Sequence, residues 1–275
     1  MPARPTASTS GLPLTGASRL SVVVPAHDEA RRIGATLAAL HAAVAACGVP
    51  YEIVVVDDAS TDATAAIAGA AGARVVQVAH RHIAAARNAG ARAADGDWLL
   101  FVDADTHVEA AVVRAARAAL AAGAAGGGCA VRFDGYQPLH VRALVALSVL
   151  GFRLARIAPG CFLFCTRPAF EAAGGFDERW YAGEDVAMSR ALARSGRFVI
   201  LREHVLTSGR KLRTHSVPQQ LALLWRLAIR GRRMLRSRHG LELWYGERRE
   251  LPDEEPAADG RARALPDAKR PPGPP

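Results

Sequence analysis

With 275 residues, half of them hydrophobic and 22% charged, the chain is long enough to bury a large α/β core and too apolar to be disordered throughout. Its four cysteines, Cys47, Cys129, Cys161 and Cys165, include no C-x-x-C pair, which argues against a zinc ribbon or a disulfide scaffold and favours a reducing, cytoplasmic setting. The formal charge of +9 belongs to one stretch: from Arg202 to Arg249 there are twelve Lys or Arg against three Glu, so the remainder is balanced.

Residues 1–18 are rich in Pro, Ser, Thr and Gly, lack the apolar run of a signal peptide and read as a disordered leader. From Leu20 onward apolar runs alternate with Ala-rich stretches, the βαβα pattern of a mostly parallel sheet covered on both faces. The predicted order is a strand at Leu20–Val24 closed by Pro25, a helix from about Asp28 to Ala46, and a strand at Glu52–Val56 ending in Asp57-Asp58. Ser60 is placed as the N-cap of the next helix. A strand at Arg74–Val78, a helix over about Ile83–Ala94 and a strand at Trp98–Val102 follow. Beyond these come a helix over about Glu109–Ala122, a Gly-rich turn at Gly126–Gly128 and a strand near Cys129–Phe133.

Val141–Ile157 is apolar but broken by Arg142, Arg153 and Arg156, short of the roughly 20 uninterrupted residues that span a bilayer, and reads as a core or interfacial helix. A strand at Cys161–Cys165, a helix over Glu184–Ser195 and a strand at Phe198–Leu201 complete the compact unit. From Pro218 to Arg238, Leu221, Leu224, Trp225, Ala228 and Ile229 alternate with Arg226, Arg230, Arg232, Arg233 and Arg236 as an amphipathic basic helix suited to an anionic bilayer surface. Residues 250–275 read as a disordered tail.

The chemistry is concentrated where strands end. Asp103-Ala104-Asp105 closes the apolar run Trp98–Val102, and a buried strand that delivers two carboxylates to a loop calls for a compensating cation. Mg²⁺ binds through one or two carboxylates plus substrate phosphates, so the expected ligand is a metal-bound diphosphate beyond the carboxyl ends of the strands.

Alongside it stand Val24-Pro25-Ala26-His27-Asp28-Glu29, Val56-Asp57-Asp58-Ala59-Ser60-Thr61-Asp62 and Ala86-Arg87-Asn88-Ala89-Gly90. With these the chain resembles family 2 glycosyltransferases of the GT-A fold, whose signatures are V-P-x-x-N-E, V-D-D-x-S-x-D-x-T, R-N-x-G and D-x-D. Gly174-Gly175-Phe176-Asp177-Glu178 and Gly183-Glu184-Asp185 match further landmarks, and Asp28 departs from the usual Asn.

The resemblance implies a Rossmann-like, mostly parallel sheet flanked by helices over 19–215, with a nucleotide half at 19–107 and an acceptor half at 108–215. A C-terminal amphipathic helical extension follows at 216–249. It implies a nucleoside diphosphate sugar, UDP favoured, bordered by Pro25, Ala26 and Glu29, with the base N–H taken by Asp58 first and Asp57 second, and Arg87 meeting base or phosphate. Asp105 holds Mg²⁺ or Mn²⁺; Asp103 meets ribose or metal, Ala104 lies between them, and His107 stands at a third-ligand position.

Asp185 falls where inverting relatives carry the general base, with Glu184 beside it to raise its pKa. Arg210 and Arg213 resemble a basic loop that closes over diphosphate, and His215 is a weaker metal candidate. The acceptor is a hydroxyl or a phosphate. Placement is cytoplasmic or at the inner membrane face through 216–238, with no nucleic acid partner favoured. A nucleotidyltransferase is the first rival, but Pro25–Glu29 has no glycine for a phosphate loop; a non-catalytic anion-binding or membrane-binding module is the second.

Overall fold

The computed structural model describes residues 18–134, 147 and 149–209. The leader, the basic segment 216–249 and the tail 250–275 lie outside them, as do Arg210, Arg213 and His215. The described chain runs β1 (Leu20–Ala26), α1 (Ile33–Ala45), β2 (Tyr51–Asp58), α2 (Thr64–Ala70), β3 (Arg74–Val78), α3 (Ile83–Ala93), β4 (Trp98–Val102), β5 (Thr106–His107), α4 (Ala110–Ala121), β6 (Gly126–Phe133), β7 (Phe162–Thr166), α5 (Arg167–Ala172), α6 (Glu184–Ser195) and β8 (Phe198–Thr207).

One eight-stranded sheet has the order β3-β2-β1-β4-β7-β6-β8-β5. The first four strands are parallel, β7 runs antiparallel to both β4 and β6, and β5 pairs antiparallel with β8. Parallel pairing in register, Ala26 opposite Asp57 and Val23 opposite Phe101, brings the carboxyl ends of β1, β2 and β4 to one edge. The polar clusters therefore share that edge.

Alternation along each strand sends successive side chains to opposite faces. Val22, Val24, Leu100 and Val102 join α1, α2 and α4 in one core, while Val23, Val56, Leu99 and Phe101 join α3, α5 and α6 in the other. Strands buried on both faces have no polar positions until they end, which is why the runs read as uniformly apolar. Gly90 sets the separation on the second face, since a Cβ there would sit 2.3 Å from Val23 Cγ1. The close approach of α3 to β1 places Arg87, one turn earlier, beneath the strand ends.

Several local expectations change. Gly126–Gly128 begins β6 instead of forming a turn, because a Cβ on Gly127 would lie 2.1 Å from Val199 O and one on Gly128 2.3 Å from Ala158 Cβ. These glycines answer to packing between strands, a need that composition alone does not distinguish from turn formation. Ser60 does not cap α2, whose N-cap is Ala63; its hydroxyl accepts from Asp28 N (3.0 Å) and joins two strand-end loops. β8 continues past Leu201 to Thr207, and β5 and α5 appear where no element was expected. The apolar segment is helical at residue 147 and over 149–155 and is exposed there, so it is not a core helix.

Candidate active site

At the tip of β2 the two neighbouring carboxylates are treated differently. Asp58 accepts three backbone N–H groups, from His80 (2.7 Å), Arg81 (2.7 Å) and His82 (2.8 Å), and so fixes the loop that leads into α3. Asp57 is 5% exposed, and its Oδ1 has no hydrogen-bond partner. A buried carboxylate oxygen left without a donor costs desolvation free energy unless something supplies one. Asp58, the first choice from sequence, is thus engaged by backbone, and Asp57, the second, keeps a buried acceptor oxygen.

Pro25 and Ala26 end β1 beside this pair, Ala26 in register with Asp57, and Glu29 is buried just beyond. Asp28 adopts a left-handed conformation with φ 49°, a region that favours Asn and Asp, and its Oδ1 accepts from Thr61 N at 2.7 Å. A carboxylate oxygen serves there as an amide oxygen would, which accounts for the tolerated departure from Asn.

Arg87 is held inside the fold. It is 2% exposed: one guanidinium nitrogen donates to Glu184 Oε1 (2.7 Å), the other to both Asp103 Oδ1 (2.8 Å) and Gly160 O (2.8 Å). Burial works against its charge, but Asp103 and Glu184 outweigh burial and raise its pKa. The cation is paired with two carboxylates and ties the end of β4 to the start of α6. The adjacent Asn88 binds the Gly174–Glu178 loop through Phe176 O (2.9 Å) and Glu178 Oε1 (2.9 Å) and accepts from Phe176 N (2.8 Å).

Gly183, with φ 80°, turns the chain into α6 and presents Glu184 and Asp185 in its first turn. Burial, then the neighbouring Glu184 charge, pushes the Asp185 carboxyl up to about 7, against the opposing pull of Arg87. Asp185 Oδ1 accepts only locally, from Val186 N (2.8 Å), and a Cβ on Gly160 would approach its Oδ2 to 3.1 Å. Gly160 thus leaves room at the carboxylate while its carbonyl binds Arg87. Nothing in the sequence marked Gly160; its only signal was a glycine just ahead of a buried strand.

Asp105 lies near Thr207, whose hydroxyl donates to its Oδ1 at 3.4 Å, and His107 is exposed in β5, opposite Leu206. Among the described residues no three His, Cys, Asp or Glu side chains converge on a point that would hold a metal, so Asp103, Asp105 and His107 do not make a closed three-ligand set. Two carboxylates at a strand end still fit Mg²⁺ or Mn²⁺, hard ions that draw further oxygens from phosphates and water. Asp103 keeps one oxygen outside its Arg87 contact, and its side chain is 33% exposed.

The model of glycosyl transferase family 2 matches residues 21–163, more than half of the chain. The chain belongs to glycosyl transferase family 2. This membership sets aside the non-catalytic and nucleotidyltransferase readings. Among curated proteins none matches significantly.

The fold is that of GT-A glycosyltransferases. Similar solved structures include the mannosyltransferase PcManGT from Pyrobaculum calidifontis in complex with GDP-Man and Mn²⁺ (22% identity, TM-score 0.59, covering 78% of this chain and 65% of that one). Residues 1–349 of S. aureus TarS in complex with UDP-GlcNAc align at 18% identity and TM-score 0.55, over 76% and 66% of the two chains. Glucosyl-3-phosphoglycerate synthase from Mycobacterium tuberculosis, with Mn²⁺, UDP and glucosyl-3-phosphoglycerate, aligns at 20% identity and TM-score 0.53, over 77% of each. This family 2 chain therefore spans about two thirds of the length of the first two. No described helix is long and apolar enough to cross a membrane.

Proposed function

We propose that this family 2 enzyme transfers a sugar from a nucleoside diphosphate sugar to an acceptor hydroxyl with inversion at the anomeric carbon. The observation that carries the reading is the coupling, through the buried cation Arg87, of the D-x-D carboxylate Asp103 to the pair Glu184-Asp185. Donor-side and acceptor-side chemistry are thereby held at one place. Asp185, with a carboxyl near neutrality, is poised to accept the acceptor proton as the oxygen attacks. A phosphate acceptor already ionised has no such proton to give, so the hydroxyl is the better match to this base.

Asp57, not Asp58, takes the N–H of the base, through the buried Oδ1 that lacks a donor. Pro25, Ala26 and Glu29 border the nucleoside. Asp105, assisted by Asp103, holds Mg²⁺ or Mn²⁺, which when bound neutralises the departing diphosphate. Arg210 and Arg213 are proposed as its further cationic partners. The nucleotide half is 19–107 and the acceptor half 108–215. The basic segment 216–238 is proposed to rest on an anionic membrane surface, which agrees with a cytoplasmic or inner-face location.

A thermal-shift panel of UDP, GDP and their sugars, each with Mn²⁺ or with chelator, tests the donor side, because ligands that bind the native state raise Tm. UDP with Mn²⁺ is expected to give the largest shift. A larger shift with GDP overturns the choice of base, and no shift with any nucleotide overturns the reading.

A further inference from the structure

The helical residues 147 and 149–155 carry a leucine stripe that nothing in the described structure covers. Leu147, Leu150 and Leu154 stand at i, i+3 and i+7, on one helical face, and are 66%, 52% and 78% exposed. Only two other large apolar side chains among the described residues are exposed, Phe152 and Leu206, and both are less so. Large apolar side chains gathered on one exposed face mark an interaction surface more often than chance.

The helix and the turn after it are tied to β8 and α6. Arg153 donates to Leu201 O of β8 (3.4 Å), Ile157 N closes the helix on Phe152 O (2.9 Å), and buried Ala158 donates its N–H to Ser189 Oγ of α6 (3.0 Å). Five residues on from Ala155, Gly160 lies against Asp185. That length of chain reaches at most about 18 Å. Whatever the stripe rests on is therefore near the proposed base.

We propose that the Leu147-Leu150-Leu154 face docks on the surface of an anionic lipid bilayer. Charge selects this occupant over the others. Arg153 on this helix and Arg156 just past its end are exposed, and 147–156 contains no acidic residue, so the leucine stripe lies in a basic surrounding of the kind that suits an anionic interface. A second copy seated on the same face would bring Arg153 and Arg156 of one chain against those of the other. The chain's own segment 216–238 would set Arg226, Arg230, Arg232, Arg233 and Arg236 close to Arg153 and Arg156. An anionic bilayer takes up the apolar stripe and the positive charge together.

The inference rests on this helix and on no step of the reaction. Flotation of the full chain with phosphatidylcholine vesicles, with and without phosphatidylglycerol, provides the test. Wild type is expected to float with the anionic vesicles. Leu147→Gln/Leu150→Gln/Leu154→Gln is expected to lose at least about tenfold in partitioning with unchanged Tm, as three exposed positions should allow.

A fluorophore on Leu150→Cys should shift to the blue only when vesicles are added. Equal partitioning of the triple variant and wild type overturns the proposal, as does a wild type that never floats or a blue-shifted label without vesicles, which would mean the chain or a second copy already covers the stripe. The nucleotide thermal-shift panel run on the same triple variant separates the two readings. The variant is expected to keep the wild-type nucleotide response while losing the vesicle response; a wild type that responds to nucleotide but never floats counts against the bilayer surface alone, and a wild type that floats without any nucleotide response counts against the donor site alone.

Discussion

Asp57-Asp58 at the end of β2 and Glu184-Asp185 at the start of α6 are both adjacent carboxylates, and in each pair one member is bound into the fold while the other is left short of partners. Asp58 is held by three backbone donors and Glu184 by the Arg87 guanidinium. Asp57 keeps an oxygen with no donor, and Asp185 keeps its proton up to about pH 7. The difference between the pairs lies in what surrounds the free member. Around Asp185 burial and then a neighbouring anion favour the neutral acid, as a base needs; Asp57 offers a buried acceptor oxygen that lacks a donor, as recognition needs.

The sharpest way to break the comparison is at Asp185. Asp185→Asn removes the base and is expected to lower turnover by roughly 10³-fold while the UDP-induced thermal shift survives. Retained turnover in the purified variant ends the assignment. The same substitution has an opposite effect on the fold. A carboxyl whose folded pKa lies above its unfolded value supports stability fully below the unfolded pKa, and that support is lost as pH rises toward about 7. Asp185→Asn should therefore melt higher than wild type at pH 8, with the gap closing under acidic conditions.

Arg87 joins Asp103 to Glu184, so Arg87→Met tests whether that link is structural. Taking one partner from a buried ion pair costs about 3 kcal/mol, read as a fall in Tm. Arg87→Lys, which keeps the charge but not the two-pronged donation, should recover part of that stability and little of the turnover. Full recovery of turnover by Lys would show that charge alone is needed.

The β2 pair predicts a split. Asp58→Asn offers a single acceptor oxygen and turns an NH₂ toward backbone donors, so it should destabilise by roughly 1–3 kcal/mol in chemical denaturation. Asp57→Asn should leave denaturation nearly unchanged and weaken UDP binding by about tenfold, measured by calorimetry. If the two variants exchange these effects, the division of labour at β2 is the reverse of the one described.

Sequence made the strand-end chemistry legible because buried parallel strands can change from apolar to acidic only where they end. β3, β4 and α6 were expected with the bounds the structure gives them, and the strand-end motifs meet at one edge. What stayed hidden was the choice between neighbours. Periodicity marks Asp57 and Asp58 alike, and only the path of the His80–His82 backbone, more than twenty residues on, decides which one is used up. The ion pairing of Arg87 was hidden for a related reason: a cation among anionic motifs reads as a phosphate ligand, and only the fold brings Glu184, 97 residues away, to within 2.7 Å of it. Gly126–Gly128 shows the same limit, since a turn and a tight strand crossing ask for the same residue.

The smallest expected effect bears most directly on what distinguishes the pairs. If Asp185 is the base, kcat/KM should fall tenfold per pH unit below its pKa and level off above it. Glu184→Gln keeps an oxygen that can accept from Arg87 and removes the negative charge beside Asp185, a charge that favours the protonated acid. The acid limb should then move to lower pH, with the plateau reduced only as far as the weaker neutral acceptor loosens Arg87. Burial, the larger cause, is untouched, so the limb should stop short of the position of an exposed aspartate. A limb that does not move would mean Glu184 serves Arg87 alone and that burial carries the raised pKa of Asp185.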